Sequence, residues 1–221
     1  MNSRVSRYVS CVFALAFAAL IPITLAAQVT ATATGRAPWD NSGSKWDIFV
    51  GYSYLDPNGK IAGAQSGALG NTYGQINGGA IFGGARYFNK NLGVQIEGDE
   101  HIQSEDFPLG NNNSSFNSND NFAGGSAGLI YRVPMARITP FVHALVGADL
   151  VGSVYDADTW GLTVTGGGGL DYDTPLFNHR LAIRVFQADY QLIHADSSEI
   201  NAFRLSTGVV LRIGPTTPPR R

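Results

Sequence analysis

The chain has 221 residues, a formal net charge of −2, 27 glycines and one cysteine. Only 14 % of it is charged, against about 25 % in ordinary soluble domains, which leans away from a surface that meets water alone. There is no basic cluster except Arg220-Arg221, which argues against a nucleic-acid partner, and after residue 27 no apolar run is long enough for a transmembrane helix.

The first element is an export signal. "MNSRVSR" carries two arginines and no acid, and "YVSCVFALAFAALIPITLAAQ" is an apolar run ending in small residues. Thr24 and Ala26 suit the −3 and −1 positions of a cleavage site, so residues 1–27 read as a cleavable signal peptide. Cys11 lies inside it, so residues 28–221 hold no cysteine, which removes disulfides, thiol chemistry and cysteine-ligated metal from consideration. Taking away Arg4 and Arg7 moves the formal charge from −2 to −4. Residues 28–45 are small, polar and aperiodic, a flexible lead-in; residues 215–221 are a short Pro/Arg tail.

Between them, over 46–214, a two-residue period recurs eight times, the mark of β-strands with two unlike faces. Strand one, "WDIFVGYSYL", sets Trp46, Ile48, Val50, Tyr52 and Tyr54 opposite Asp47, Phe49, Gly51 and Ser53. In strand two, "QINGGAIFGGARYF", the expectation is Ile81, Ala85 and Tyr87 outward and Arg86 inward. Strand three sets Leu92, Val94 and Ile96 opposite Gln95, Glu97, Asp99 and His101. Strand four sets Ala127, Leu129, Tyr131 and Val133 opposite Ser126, Gly128 and Arg132. Strand five turns Val142, Ala144, Val146, Ala148 and Leu150 away from His143 and Asp149. Strand six turns Leu162, Val164, Leu170 and Tyr172 away from Thr163, Thr165 and Asp171. Strand seven, "LAIRVFQADYQLI", breaks phase at Arg184 and Gln187, and a bulge near Val185-Phe186 would bring both inward. Strand eight, "NAFRLSTGVVLRIG", alternates strictly, with Arg204 and Arg212 opposite Phe203, Leu205, Val209, Leu211 and Ile213.

The connections alternate long and short through the first four: "DPNGKIAGAQSGALGNT", "NKN", "SEDFPLGNNNSSFNSND", "PMARIT". Short turns on one side and long loops on the other suit an all-β, eight-stranded antiparallel up-and-down transmembrane barrel, with lipid outside and polar residues inside. The outward aromatics Trp46, Tyr54, Tyr87, Tyr131, Tyr172 and Tyr190 would then stand at headgroup level. An eight-stranded barrel is just wide enough for side chains to fill, so acids and bases should pair across the lumen. The expected network comprises Arg86, Glu97, Asp99, Arg132, His143, Asp149, Asp171, Asp189, Arg204 and Arg212. A soluble sandwich would instead expose these charges to water.

"GGARYFNKNLGVQIEGD", "TPFVHALVGAD", "GGGLDY", "LAIRVFQADYQL" and "NAFRLSTGVVLRIG" together resemble the small outer-membrane β-barrel proteins related to the OmpA transmembrane domain. Gly208, Leu211 and Ile213 follow the spacing of the C-terminal signal that hands such barrels to the barrel-assembly machinery. Here "GPTTPPRR" follows Ile213, so that signal would be read internally; proteins of the full OmpA type also carry a C-terminal peptidoglycan-binding domain, for which this sequence leaves no room, so peptidoglycan anchoring is not expected. The resemblance implies a Gram-negative bacterium, outer-membrane lipid as surroundings and no cofactor.

Chemistry has few footholds. His101, Ser104 and Glu105, or His194, Ser198 and Glu199, could supply a lipid-modifying enzyme's nucleophile and base, and Asp99, His101, His194 and Asp196 a rim metal site without ligand spacing. "TGGGGL" lacks the Lys-Ser/Thr of a phosphate loop. The resulting expectation is a monomeric, non-enzymatic barrel with a plugged polar lumen, serving the cell envelope's structure or surface interaction through loops 56–72 and 104–120. A small porin-like channel or a lipid-modifying enzyme are the alternatives.

Overall fold

A computed structural model describes residues 43–59, 72–109, 114–135, 137–152, 158–195 and 198–215; over 103–109 and 114–120, and at 198 and 215, it describes the backbone. The expected signal peptide, nearly all of the lead-in and the tail beyond Pro215 lie outside these residues.

Alternation becomes strand throughout. The strands are β1 (Ser44–Asn58), β2 (Gly79–Tyr87), β3 (Leu92–Leu109), β4 (Ser114–Arg132), β5 (Ile138–Val151), β6 (Thr159–Asp173), β7 (Leu181–Ala195) and β8 (Ser198–Pro215). Each pairs antiparallel with the next, and β1 closes on β8 from Ser44↔Pro215 to Asn58↔Asn201. Closure leaves the barrel no free edge and, outside the bulge in β7, pairs the backbone along the ladder, as a wall in hydrocarbon requires. The short turns 88–91 and 174–180 and the link from β4 to β5 share the end at which β1 begins and β8 stops, here called the terminal end; the opposite mouth is the far end.

The outer wall is apolar. Ile48, Val50, Phe82, Ile96, Leu129, Val146, Leu162, Val164, Leu192 and Leu205 all stand exposed, an arrangement water would penalise on this scale. On β8 the outward run from Phe203 to Ile213, at about 3.3 Å per residue and a tilt of about 40°, makes a belt roughly 25 Å tall.

Two expectations change. In β2, Ile81, Ala85 and Tyr87 are buried and face inward, while Phe82 and Arg86 face out. Arg86 is the ladder partner of Trp46, and cross-strand partners share a face, so β2 runs in the opposite phase to that expected. Its sequence, "GAIFGGARY", has apolar or small residues on both faces and leaves the phase to the register. Second, much of the long connection 104–120 is strand: β3 and β4 pair on to Leu109↔Ser114, beyond the ends of β2 and β5.

The break in β7 is a bulge. Two residues lie between Arg184 and Gln187 where β8 has only Thr207 between Gly208 and Ser206, and β6 shifts register at Leu170/Asp171. Val185 and Phe186 both face out, so Arg184 and Gln187 both face in. The Thr207 hydroxyl donates to the Arg184 carbonyl at 2.9 Å, holding the irregular segment.

Candidate functional site

Inside the barrel the side chains stack in layers. At the terminal end Arg132, from the close of β4, donates to Asp47 at 2.8 Å and to the Ser44 hydroxyl at 2.8 Å. It also donates to the Ser44 and Lys90 carbonyls at 2.6 and 3.0 Å. Its guanidinium lies 3.3 Å from the centroid of the Tyr87 ring, a cation–π stack on the ring that the phase of β2 turns inward.

Arg184 forms the next layer. It donates to Asp171 at 2.8 Å and to the Gln187 side-chain carbonyl at 2.6 Å, and lies between the rings of Phe49 and Phe141, 4.1 and 4.2 Å from their centroids. A planar, weakly hydrated guanidinium suits such a sandwich. Arg212, at the mouth, pairs with Asp173 and stands 3.7 Å from Asp171.

The centre is organised by Arg204, 1 % exposed. It donates to Asp99 at 2.8 Å, to Asp189 at 3.1 and 2.6 Å, and to Glu97. Gln187 donates to Glu97 at 3.0 Å and to Asp189 at 2.7 Å. His143 presents one ring nitrogen to Asp189 at 2.8 Å and the other to the Gln95 carbonyl oxygen at 3.2 Å, and Gln95 in turn donates to Glu97 at 2.9 Å. Strands β3, β5, β7 and β8 are thereby tied across the bore.

Above this, His101 meets Ser53 at 2.9 Å, and Ser53 meets Ser206 at 3.0 Å. Thr163 donates to Asp149 at 2.7 Å. Then the polarity ends. Leu55, Tyr73, Ile76, Phe122, Val151, Ile193, Ala195, Ile200 and Ala202 form a buried apolar cluster at the far end. Ile76 reaches it through a bridge to Leu55, and Tyr73 through a hydroxyl bond to the Gly152 carbonyl at 2.9 Å.

Of the residues expected in the lumen, Glu97, Asp99, Arg132, His143, Asp149, Asp171, Asp189 and Arg204 are buried there, and Arg212 is half-buried at the terminal mouth. Arg86 is outside, its guanidinium 5.4 Å from the centroid of the Trp46 ring. The named network leaves out Asp47, Arg184, Gln187 and Gln95, although the alternation and the expected bulge turn all four inward. Asp47 and Gln95 stand on the polar faces of their strands; Arg184 and Gln187 come inward through the bulge.

The possible enzyme groups are divided by the wall. His101 is buried in the lumen, whereas His194 is exposed opposite its exposed ladder partner Glu199 on the outer face. The side chains of Ser104, Glu105, Asp196 and Ser198 lie outside the described residues. Among the described residues no group of three or more His, Cys, Asp or Glu could hold a metal ion. In "TGGGGL" Gly167 and Gly169 lie on the inner face, where the Asp189 carboxylate and the Phe141 ring occupy the space of their missing side chains.

No family model matches the chain, and no curated protein matches it in sequence. Solved structures similar to it include the outer membrane protein OprG of Pseudomonas aeruginosa, with 15 % identity and a TM-score of 0.49 over 78 % of this chain and 99 % of that one. Neisserial surface protein A is 14 % identical, with a TM-score of 0.48 over 75 % of this chain and 97 % of that one. Ail, the attachment invasion locus protein of Yersinia pestis, solved with the heparin analogue sucrose octasulfate, is 15 % identical, with a TM-score of 0.43 over 76 % and 99 %. All are likenesses to outer-membrane proteins at low identity, and nothing of what those proteins bind passes from them to this chain.

Proposed function

We propose that the chain is a non-enzymatic integral barrel of the outer membrane whose lumen is plugged, and which serves the structure of the envelope or surface interaction at its far end. The observation that carries this is the pairing of an apolar outer wall with a filled bore. The arginines, carboxylates and amides of the lumen are bonded to one another across it, and the apolar cluster closes the far end. Charges so deeply buried are stable only when paired and hydrogen-bonded, so the network holds the barrel shut and its strands together. The β3–β4 hairpin, paired out to Leu109↔Ser114, extends beyond the belt and offers the surface for contact.

Three further assignments belong to this reading. Outer-membrane lipid surrounds the belt, the barrel-assembly machinery reads Gly208, Leu211 and Ile213, and residues 1–27 direct export. Expression of the full chain in a Gram-negative host tests it: the protein should fractionate with outer membranes and migrate faster on SDS gels unboiled than boiled. In planar bilayers it should show no discrete conductance steps. A periplasmic protein soluble without detergent would overturn the membrane reading, and regular conductance steps the plugged one.

A further inference from the structure

The charges that do not enter the lumen are segregated by end. Lys45, Arg86, Lys90, Arg137 and Arg180 are all exposed near the terminal end, and among the described residues none of them is in an ion pair. The acids at that end are turned away from solvent: Asp47 and Asp171 are buried, and Asp173 is half-buried against Arg212. At the far end the exposed acids among the described residues are Glu100, Asp158 and Glu199.

Each cation lies within three residues, in sequence or across the ladder, of an exposed apolar side chain. Arg86 stacks on Trp46; Phe88 is exposed two residues before Lys90, and Ile138 follows Arg137. The 174–180 turn goes further. Phe177, Asn178 and His179 all hold a positive φ, at 51°, 56° and 63°, a region unfavourable for a bulky side chain. The Thr174 hydroxyl donates to the Leu181 carbonyl at 2.6 Å and closes this turn. It leaves Leu176 exposed and Phe177 at 74 % exposure, just before Arg180. Water alone gives no reason to present a phenyl ring from a strained turn.

Aromatic and apolar side chains interleaved with unpaired cations, at the edge of an apolar belt, match a lipid headgroup layer of negative charge. We propose that this collar binds the anionic phospholipid headgroups of the leaflet at the terminal end, with the Trp46–Arg86 pair as one seat for a headgroup phosphate. The proposal rests on the membrane reading above and adds a lipid preference confined to one end. Arginine stacked on tryptophan keeps its outward N–H groups for a phosphate oxygen; exposed Lys45, which precedes Trp46 in the chain, and exposed Lys90, four residues after Arg86, add point charges at the same end.

Fluorescence quenching tests it locally. The full chain with Trp39→Phe and Trp160→Phe keeps Trp46 as its one tryptophan and is refolded into phosphatidylcholine vesicles containing brominated phosphatidylglycerol or, at the same fraction, brominated phosphatidylcholine. At low salt the phosphatidylglycerol should associate at Trp46 about fivefold more tightly, and the preference should shrink in high salt. A reporter retaining only Trp160, at the far end, should show none. Adding Lys45→Gln, Arg86→Gln and Lys90→Gln to the Trp46 reporter should abolish the preference. Equal quenching by both lipids at Trp46, in protein whose gel shift shows insertion, overturns the collar and leaves the barrel standing, as would a preference that ignores salt. Failure to insert into either vesicle overturns both readings.

Discussion

The Phe49 ring occupies the space that a side chain on Gly208 would need: a Cβ at Gly208 would lie 3.0 Å from the ring and 2.3 Å from the Val50 carbonyl oxygen. The same ring lies against Gly51 and stacks on Arg184. Gly208 therefore has a packing reason to be glycine, apart from its expected part in an assembly signal. The two roles separate experimentally. Gly208→Ala should destabilise protein refolded in detergent, where no assembly machinery is present, by about 1–3 kcal/mol, read as a lower temperature for loss of the fast-migrating band. An unchanged transition in detergent, with a loss of folded barrel only in cells, would assign Gly208 to the signal alone.

Arg204 holds three carboxylates from β3 and β7. Arg204→Leu leaves Glu97, Asp99 and Asp189 facing one another without their cation, and should lower stability by about 3–5 kcal/mol. Arg132→Leu strips Asp47 of its partner and should also lower the transition. Thermal gel-shift curves of both variants beside the parent protein are the check. If neither moves, the lumen pairs do not hold the barrel.

Arg86 is the matching control. Since it lies on the outer face, Arg86→Gln should leave the transition in zwitterionic detergent within about 0.5 kcal/mol of the parent protein. A loss comparable to that of Arg204→Leu would mean that β2 runs in the phase its sequence first suggests.

The bulge in β7 gives a finer prediction. Thr207→Val keeps the shape of the side chain but removes the donor that satisfies the Arg184 carbonyl. On a lipid-facing wall that carbonyl has no water to turn to, so the variant should lose about 1–3 kcal/mol. Thr207→Ser, which keeps the hydroxyl, should recover most of it.

Most of the wall was legible in the sequence because lipid and a polar lumen enforce opposite requirements on alternate residues. β3, β5 and β8 obey both, and even the slip in β7 announced itself, since Arg184 and Gln187 could not both face inward without an extra residue between them. β2 takes the phase opposite to the one its sequence suggests because its faces are nearly alike: Ile81, Ala85 and Tyr87 oppose Phe82, glycine and Arg86, so only pairing with Trp46 decides. Residues 104–109 and 114–120 give no strand signal in the sequence because a strand beyond the belt has no lipid face and needs no alternation. The partners within the lumen were not legible at all. Alternation says which side chains enter the bore, but the meeting of Arg204 with Glu97 depends on shear and rotamer. The seating of Arg184 between Phe49 and Phe141 depends on bare inner-face positions at Gly51, Gly169 and Gly208.

Ser44 and Pro215 are ladder partners at the seam where the barrel closes. In spatial terms the ring of strands has neither a first member nor a last, and the order in which they are threaded is a property of synthesis alone. A circular permutant joining residue 215 to residue 44 through a short linker, and opened at the 88–91 turn, would keep every cross-strand partner while bringing Gly208 into the middle of the chain. Sequence order and architecture would then be separable: whatever such a protein still did once folded would belong to the closed ring, and whatever it lost on the way there would belong to the reading of its C-terminal strand.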